Sequence, residues 1–297
     1  MRGSFAGPAR VAPIHLAMVA PVQALLIGVV FLPSLYVFWL SFNESSFGKA
    51  PTYVGLKNYI EVLGDPYFWR AFGNTAIVIN IVVYLELALG LAIALLFAGG
   101  VPMRKVLISI VLAPYAISEV AAVVMWRFML DPSVGMVSQT LAAFGLPTIE
   151  WAVIPSHGLA AVCALSVWLH LPFTFLILYA ARLAIPADLY EAARIDGATA
   201  WQQFRYVTLP TLVPAILVAV LFRYIFAFRM FSEVWLITGG GPARSTEVLA
   251  VYLYQEAFRY NEFGLAAATG WLMVVASVVL ATPYLYVVYK RTLANDA

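Results

Sequence analysis

Six apolar runs, each about as long as a bilayer is thick, limit what this chain can fold into. They cover residues 15–40, 74–97, 106–129, 157–181, 211–237 and 264–289. A helix needs about 20 mostly apolar residues to cross the hydrocarbon core. Composition agrees: of 297 residues 63% are hydrophobic and 11% charged, where soluble domains carry about 25% charged residues. The chain is expected to be an all-α polytopic membrane protein, a single domain over 1–297 with six transmembrane helices. The first run is longer than the roughly 7–15 residues of a signal-peptide core and is read as an uncleaved span. Pro21 and Pro33 inside it are tolerable in a membrane helix.

Lysine and arginine set the expected orientation. One side carries Arg2, Arg10, Arg104, Lys105, Arg182, Arg194, Arg205, Lys290 and Arg291; the other carries Lys49, Lys57, Arg70, Arg244 and Arg259 across longer loops. Basic residues concentrate in cytoplasmic loops, so both termini are expected in the cytoplasm. Arg127 falls at an outer span end, and Arg223 and Arg229 fall within the fifth run. The single cysteine, Cys163, excludes an internal disulfide framework and reads as packing. His15, His157 and His170 have no ligand spacing and read as structural or interfacial. No metal is expected.

One polar interval has a helical pattern of its own, Asp188 to Pro210. Asp188 with Glu191 is a variant of the capping box, and Thr199 with Gln202 repeats its spacing. Gly197 suits a left-handed helix stop, and Pro210 suits a helical first turn. The small residues Ala192, Ala193, Gly197 and Ala198 leave room for another protein. A helical hairpin between two spans is expected, with no basic face for nucleic acid.

The spaced pattern Glu191-Ala192-Ala193, Gly197, Leu209-Pro210 resembles the "EAA" loop of binding-protein-dependent ABC importer permeases. Asp196 and the run Gly197-Ala198-Thr199 resemble its maltose-type, sugar-importing branch, as does the string Tyr53-Val54-Gly55-Leu56-Lys57-Asn58-Tyr59. The resemblance implies the type I ABC importer permease fold, with residues 182–210 as the cytoplasmic coupling loop. It implies that Glu191, Ala192, Ala193, Asp196, Gly197, Ala198, Leu209 and Pro210 meet the ATPase. The partners implied are a second permease subunit, two ATPase subunits that bind ATP and Mg, an extracytoplasmic solute-binding protein and membrane lipid. The place implied is the bacterial inner membrane, and the cargo a sugar or related polyol.

No residues here promise catalysis. There is no phosphate-binding Gly-x-x-x-x-Gly-Lys-Ser/Thr, so ATP is not expected to bind this chain, and Gly239-Gly240-Gly241 reads as a turn. A charge inside a bilayer normally faces a bundle interior or a water-filled path. Glu86, Glu119, Arg223, Arg229 and Glu233 are such charges; they either pair to hold helices together or line the path. The segment Phe226 to Glu233 alternates rings with polar groups, as sugar sites do. Phe226, Phe228, Arg229, Phe231, Ser232, Glu233 and Glu119 are the candidate path residues. The same segment resembles the one preceding the Thr-Gly-Gly-Gly-Pro turn of sugar permeases, with Ser232 where many carry Asp. Two other classes compete: an ion- or proton-driven transporter relaying through Glu86, Glu119 and Arg229, and a membrane enzyme or receptor.

Overall fold

Helices carry most of the chain, as long apolar runs in a bilayer require. The computed structural model describes residues 13–295, so Arg2 and Arg10 lie outside the described residues. The first run is α1 (Pro13–Leu26), a π-helical turn (Ile27–Phe31) and α2 (Leu32–Leu40). The wider turn directly precedes Pro33, whose ring would clash with a carbonyl four residues back in a regular α-helix. No residue of this span's most apolar stretch is buried within the chain.

The span's end is closed by a two-stranded antiparallel ribbon, β1 (Asn43–Glu44) and β2 (Thr52–Tyr53), with Asn43 opposite Tyr53. The short helix α3 (Lys57–Gly64) seals it. Asn58 donates from Nδ2 to the carbonyls of Ser41 and Asn43, both at 2.9 Å. The string Tyr53–Tyr59 therefore has a structural task here.

The second span, α4 (Pro66–Ala98), starts ahead of its apolar run because Asp65 caps it, accepting from the Tyr67 N–H at 2.8 Å. It packs along the fourth span, α8 (Pro155–Leu183). Gly90 makes the approach possible: a Cβ there would sit 3.1 Å from Thr174 Cγ2 and 3.3 Å from the Phe175 backbone nitrogen. Small residues serve this purpose between membrane helices. Phe97, Phe175, Leu178 and Tyr179 fill the space beside that contact.

The third span departs from the expectation of one helix over 106–129. It consists of α5 (Arg104–Leu112), a 3-10 turn (Ala113–Ala116) and α6 (Glu119–Met129), bent by 99°. Pro114 lacks the N–H that would continue α5, and Ile117 is extended at φ −92° and ψ 139°. Glu119 accordingly begins a helix instead of lying within one, where a carboxylate suits the positive helix end. Helix α7 (Met136–Ala143) follows in the loop before α8.

The polar interval forms α9 (Ala187–Ile195) and α10 (Ala200–Gln203), a π-helical turn (Phe204–Thr208), then α11 (Leu209–Ala227). The fifth span also departs from expectation, at both ends. The stretch Ala200–Ala227 is one helical run of 28 residues, so Pro210 does not start a separate helix. Its missing N–H falls just past the π turn, where the Leu209 N–H already reaches back to the Phe204 carbonyl. At the far end the helix breaks at 228–231 before α12 (Ser232–Ile237).

Residues 245–263, polar and partly amphipathic in sequence, are largely an inserted, buried element: α13 (Leu249–Tyr254) and a π-helical turn (Gln255–Arg259). Arg244 pairs bidentately with Glu247 at 2.6 and 3.0 Å, below the rings of Tyr67 and Tyr252. Asn74 donates to the carbonyls of Ser245 and Glu247, and Tyr252 donates to Asp65 at 2.8 Å. These partners satisfy several of the polar groups that burial would otherwise penalise, while Ser245 Oγ and Gln255 Oε1 stay without one among the described residues. The sixth span, α14 (Phe263–Asn295), completes the bundle.

Candidate functional site

Two features stand out, a hairpin that hides nothing and a cavity walled by buried charge. The hairpin's turn is a Schellman motif. The Gly197 N–H donates to the Arg194 carbonyl at 3.0 Å and the Ala198 N–H to the Ala193 carbonyl at 2.8 Å. Gly197 has φ +75°, and a Cβ there would meet nothing within 4 Å in this chain. Thr199 and Gln202 form the reciprocal capping box, with 2.7 Å from the Thr199 N–H to Gln202 Oε1.

The other expected cap is absent. Pro186 occupies the cap position of α9, Asp188 lies in the first turn, and no side chain caps the helix. The reason is register: Pro186, with no N–H to satisfy, favours a helix start two residues earlier. Glu191 is left exposed without a cap bond. Tyr190 and Thr208 hydroxyls meet at 2.8 Å, tying α9 to the root of α11, and Arg182 lies 4.3 Å over the Tyr190 ring.

Every residue from Ala187 to Gln203 is at least partly exposed, including Glu191, Ala192, Ala193, Asp196, Gly197 and Ala198. Leu209 is half-buried and Pro210 exposed at the start of α11. Sequence reasoning missed Ile195 and Trp201, which are 85% and 65% exposed. Both apolar side chains lie close in sequence to the open turn at Gly197.

The cavity has a volume of about 470 Å³ and lies at the break between α11 and α12. Span five supplies Arg223, Phe226, Arg229, Ser232 and Glu233; α8 supplies Ser166, His170 and Phe173; the broken third span supplies Tyr115 and Glu119. Of the expected path residues, Phe226, Arg229, Ser232, Glu233 and Glu119 line it. Phe228 and Phe231 do not. Phe228 is buried in a core cluster with Tyr224 and Phe68, and Phe231 stacks on Trp235 at 5.9 Å and meets Tyr254 at 5.0 Å. The break changes the facing of successive side chains, so the alternation does not run along one wall.

The buried charges at the wall are partly matched. Arg223 binds Glu86 through Nε and, at 2.7 Å, through Nη2; the two are 3% and 0% exposed. Glu233 Oε1 accepts from Ser166 Oγ at 3.3 Å and lies 3.4 Å from His170 Nε2. Taken singly, Ser166, Phe173 and Tyr115 carry no signal of this role in the sequence, and His170 reads there as structural or interfacial. The one available signal was Ser166 and His170 one turn apart on an apolar helix. An ion relay through Glu86, Glu119 and Arg229 loses its first member, because Arg223 occupies Glu86.

A polytopic helical bundle with a broken helix at a membrane cavity and an exposed loop hairpin defines a transport permease. Residues 14–292 match the family described as binding-protein-dependent transport system inner membrane component, and the chain belongs to that family. It is similar to the trehalose/maltose transport system permease protein MalF of Thermococcus litoralis, 33% identical over 279 residues, covering 94% of each chain. The inner membrane ABC transporter permease protein YcjO of Escherichia coli is 34% identical over 278 residues, covering 91% of this chain and 93% of that one. A solved bacterial ABC transporter involved in import of the acidic polysaccharide alginate contains a chain of the same fold. Its TM-score is 0.82 at 22% identity, covering 93% of this chain and 95% of that one. This chain is thus a multi-pass inner-membrane permease of an ABC importer.

Proposed function

We propose that this permease forms half of the path for a sugar or related polyol, and that its hairpin couples the path to ATP hydrolysis. A second six-span permease supplies the other half, two ATPase subunits bind ATP and Mg, and an extracytoplasmic binding protein delivers the solute. Both termini lie in the cytoplasm, on the hairpin's side. The carbohydrate reading is supported by the sugar transport named for its relatives. It is also supported by a cavity that combines the rings of Tyr115, Phe173 and Phe226 with polar groups.

The observation that carries the coupling reading is the unbroken helical run Ala200–Ala227. One end of this run is the hairpin's second arm. The other end bears Arg223 and Phe226 at the cavity. A push on the hairpin therefore moves the cavity wall without an intervening hinge loop. ATP can bias the permease only through a contact that differs between its two states, and Glu191, Ala192, Ala193, Gly197, Ile195 and Trp201 present that contact. Glu191 makes no cap bond, which favours pairing with a basic group of the ATPase.

The test is ATP hydrolysis by the reconstituted complex with loaded binding protein. Glu191→Lys and Gly197→Val are each expected to lower stimulated hydrolysis and solute uptake together, with the permease still inserted. Losing one side of a buried charged contact costs about 3–5 kcal/mol. Full stimulation in both variants would place the coupling surface elsewhere.

A further inference from the structure

One carboxylate oxygen on the cavity wall has nothing to bond to. Glu233 is 2% exposed, and Ser166 and His170 hold its Oε1. Its Oε2 is buried without a hydrogen-bond partner. An ionised carboxylate only accepts, and a buried acceptor left unmet is costly. Arg223, the buried cation of the same wall, turns two nitrogens to Glu86.

The charge balance around the cavity points the same way. Arg229 makes no ion pair among the described residues, whereas Glu119 and Glu233 contribute two carboxylates not matched by a guanidinium. An anionic solute entering here gains the exposed guanidinium of Arg229 and meets two carboxylates, the exposed Glu119 and the buried Glu233, whose charge is the least screened of the three. An uncharged hydroxyl instead donates to Glu233 Oε2, while the flat faces of Phe173 and Phe226 take the apolar side of a ring.

Building on the reading of this cavity as the solute path, we propose that Glu233 is its hydroxyl acceptor. By the same chemistry, the cavity admits uncharged polyhydroxylated solutes and rejects anionic ones such as sugar phosphates, sulfonates and uronates. Ser166 and His170 are positioning residues that fix the carboxylate and leave Oε2 free.

The first measurement is mass spectrometry of the solute released from the cognate binding protein. A neutral glycan or polyol is expected. An anionic solute overturns the charge selection and leaves the permease reading intact, whereas an amino acid or peptide overturns the carbohydrate reading itself. The released solute is then the probe for uptake into proteoliposomes holding the full complex. At limiting loaded binding protein, Glu233→Gln is expected to lower uptake about tenfold or more, the scale of one hydrogen bond to a charged group. Glu233→Asp retains part of the rate. Wild-type uptake by Glu233→Gln overturns the acceptor role. Deoxy analogues that load the binding protein equally well test the same bond on the unaltered permease. One analogue should be taken up roughly tenfold more slowly; equal uptake of all overturns the proposal.

Discussion

Between Ala187 and Ile195, and again between Ala200 and Gln203, the hairpin helices bury no residue, while the cavity wall rests on Glu86, Glu233 and Arg223 at 0, 2 and 3% exposure. The hairpin's bonds join residues at most five apart in its turn, such as Ala198 to Ala193. The cavity's join residues as distant as Glu86 and Arg223. A surface kept for a partner can be short, local and bare, because its energy comes from the partner. Charges buried beside a membrane cavity must find most of their partners within the fold, because lipid offers none.

The sharpest way to break this comparison is to remove one charge from each region. Arg223→Met leaves Glu86 buried alone, at a cost of about 3–5 kcal/mol, and should sharply lower the amount of folded permease and its melting temperature in detergent. Adding Glu86→Leu should recover most of the loss, since an apolar pair can replace a buried ion pair. Glu191→Ala on the hairpin should change the melting temperature hardly at all, within about 0.5 kcal/mol. Equal effects in the two regions would erase the contrast.

The inserted element near Arg244 extends the same contrast outside the spans. Burial pushes the Glu256 carboxyl up to about 7 from 4.5, against the pull of Arg244, and Asp65, Glu247 and Glu262 add to the rise. The folded protein holds this proton to higher pH than the unfolded chain does. The stabilisation is therefore complete below about pH 4.5 and is lost as pH rises through 7, with a size on the order of 2–3 kcal/mol. Hydrogen exchange over residues 244–262 should quicken across that window beyond its intrinsic pH dependence, and Glu256→Gln should flatten the excess. A flat excess in the wild type would mean that the carboxyl is already ionised.

The smallest effect lies within the hairpin itself. Thr199→Ala removes one half of the capping box and should cost about 1 kcal/mol, seen as faster amide exchange in residues 199–203. Asp188→Ala should do less, because Asp188 makes no cap bond and acts only through the helix dipole, worth about 0.3–1 kcal/mol. A larger effect at Asp188 would show that the first arm is capped after all.

The two regions also differ in how far they could be read in advance. The turn at Gly197 and the cap at Thr199 depend on neighbours in the chain, so residue type and spacing were enough. The first cap was misread because Pro186 and Asp188 both suit a helix start, and local pattern does not rank them. The alternation that points Phe228 and Phe231 into the path holds only along one continuous helix; the break at 228–231 sends both into packing. His170 reads as structural or interfacial because the histidines have no ligand spacing, and its meeting with Glu233 leaves no trace in the local pattern.

By itself the sequence determined the spans, the hairpin and the family. The spans and the hairpin follow from periodicity, length and short-range spacing, since the bilayer leaves a long apolar run no other regular form; the family follows from a motif resemblance. Only the tertiary structure decided where the third and fifth spans break and which charges pair. It alone joined the hairpin's second arm to the cavity in one helix and left Glu233 Oε2 without a partner. Those outcomes depend on which side chains meet across helices. Each such meeting is a balance between the cost of hiding a polar group and the bonds a neighbour can return.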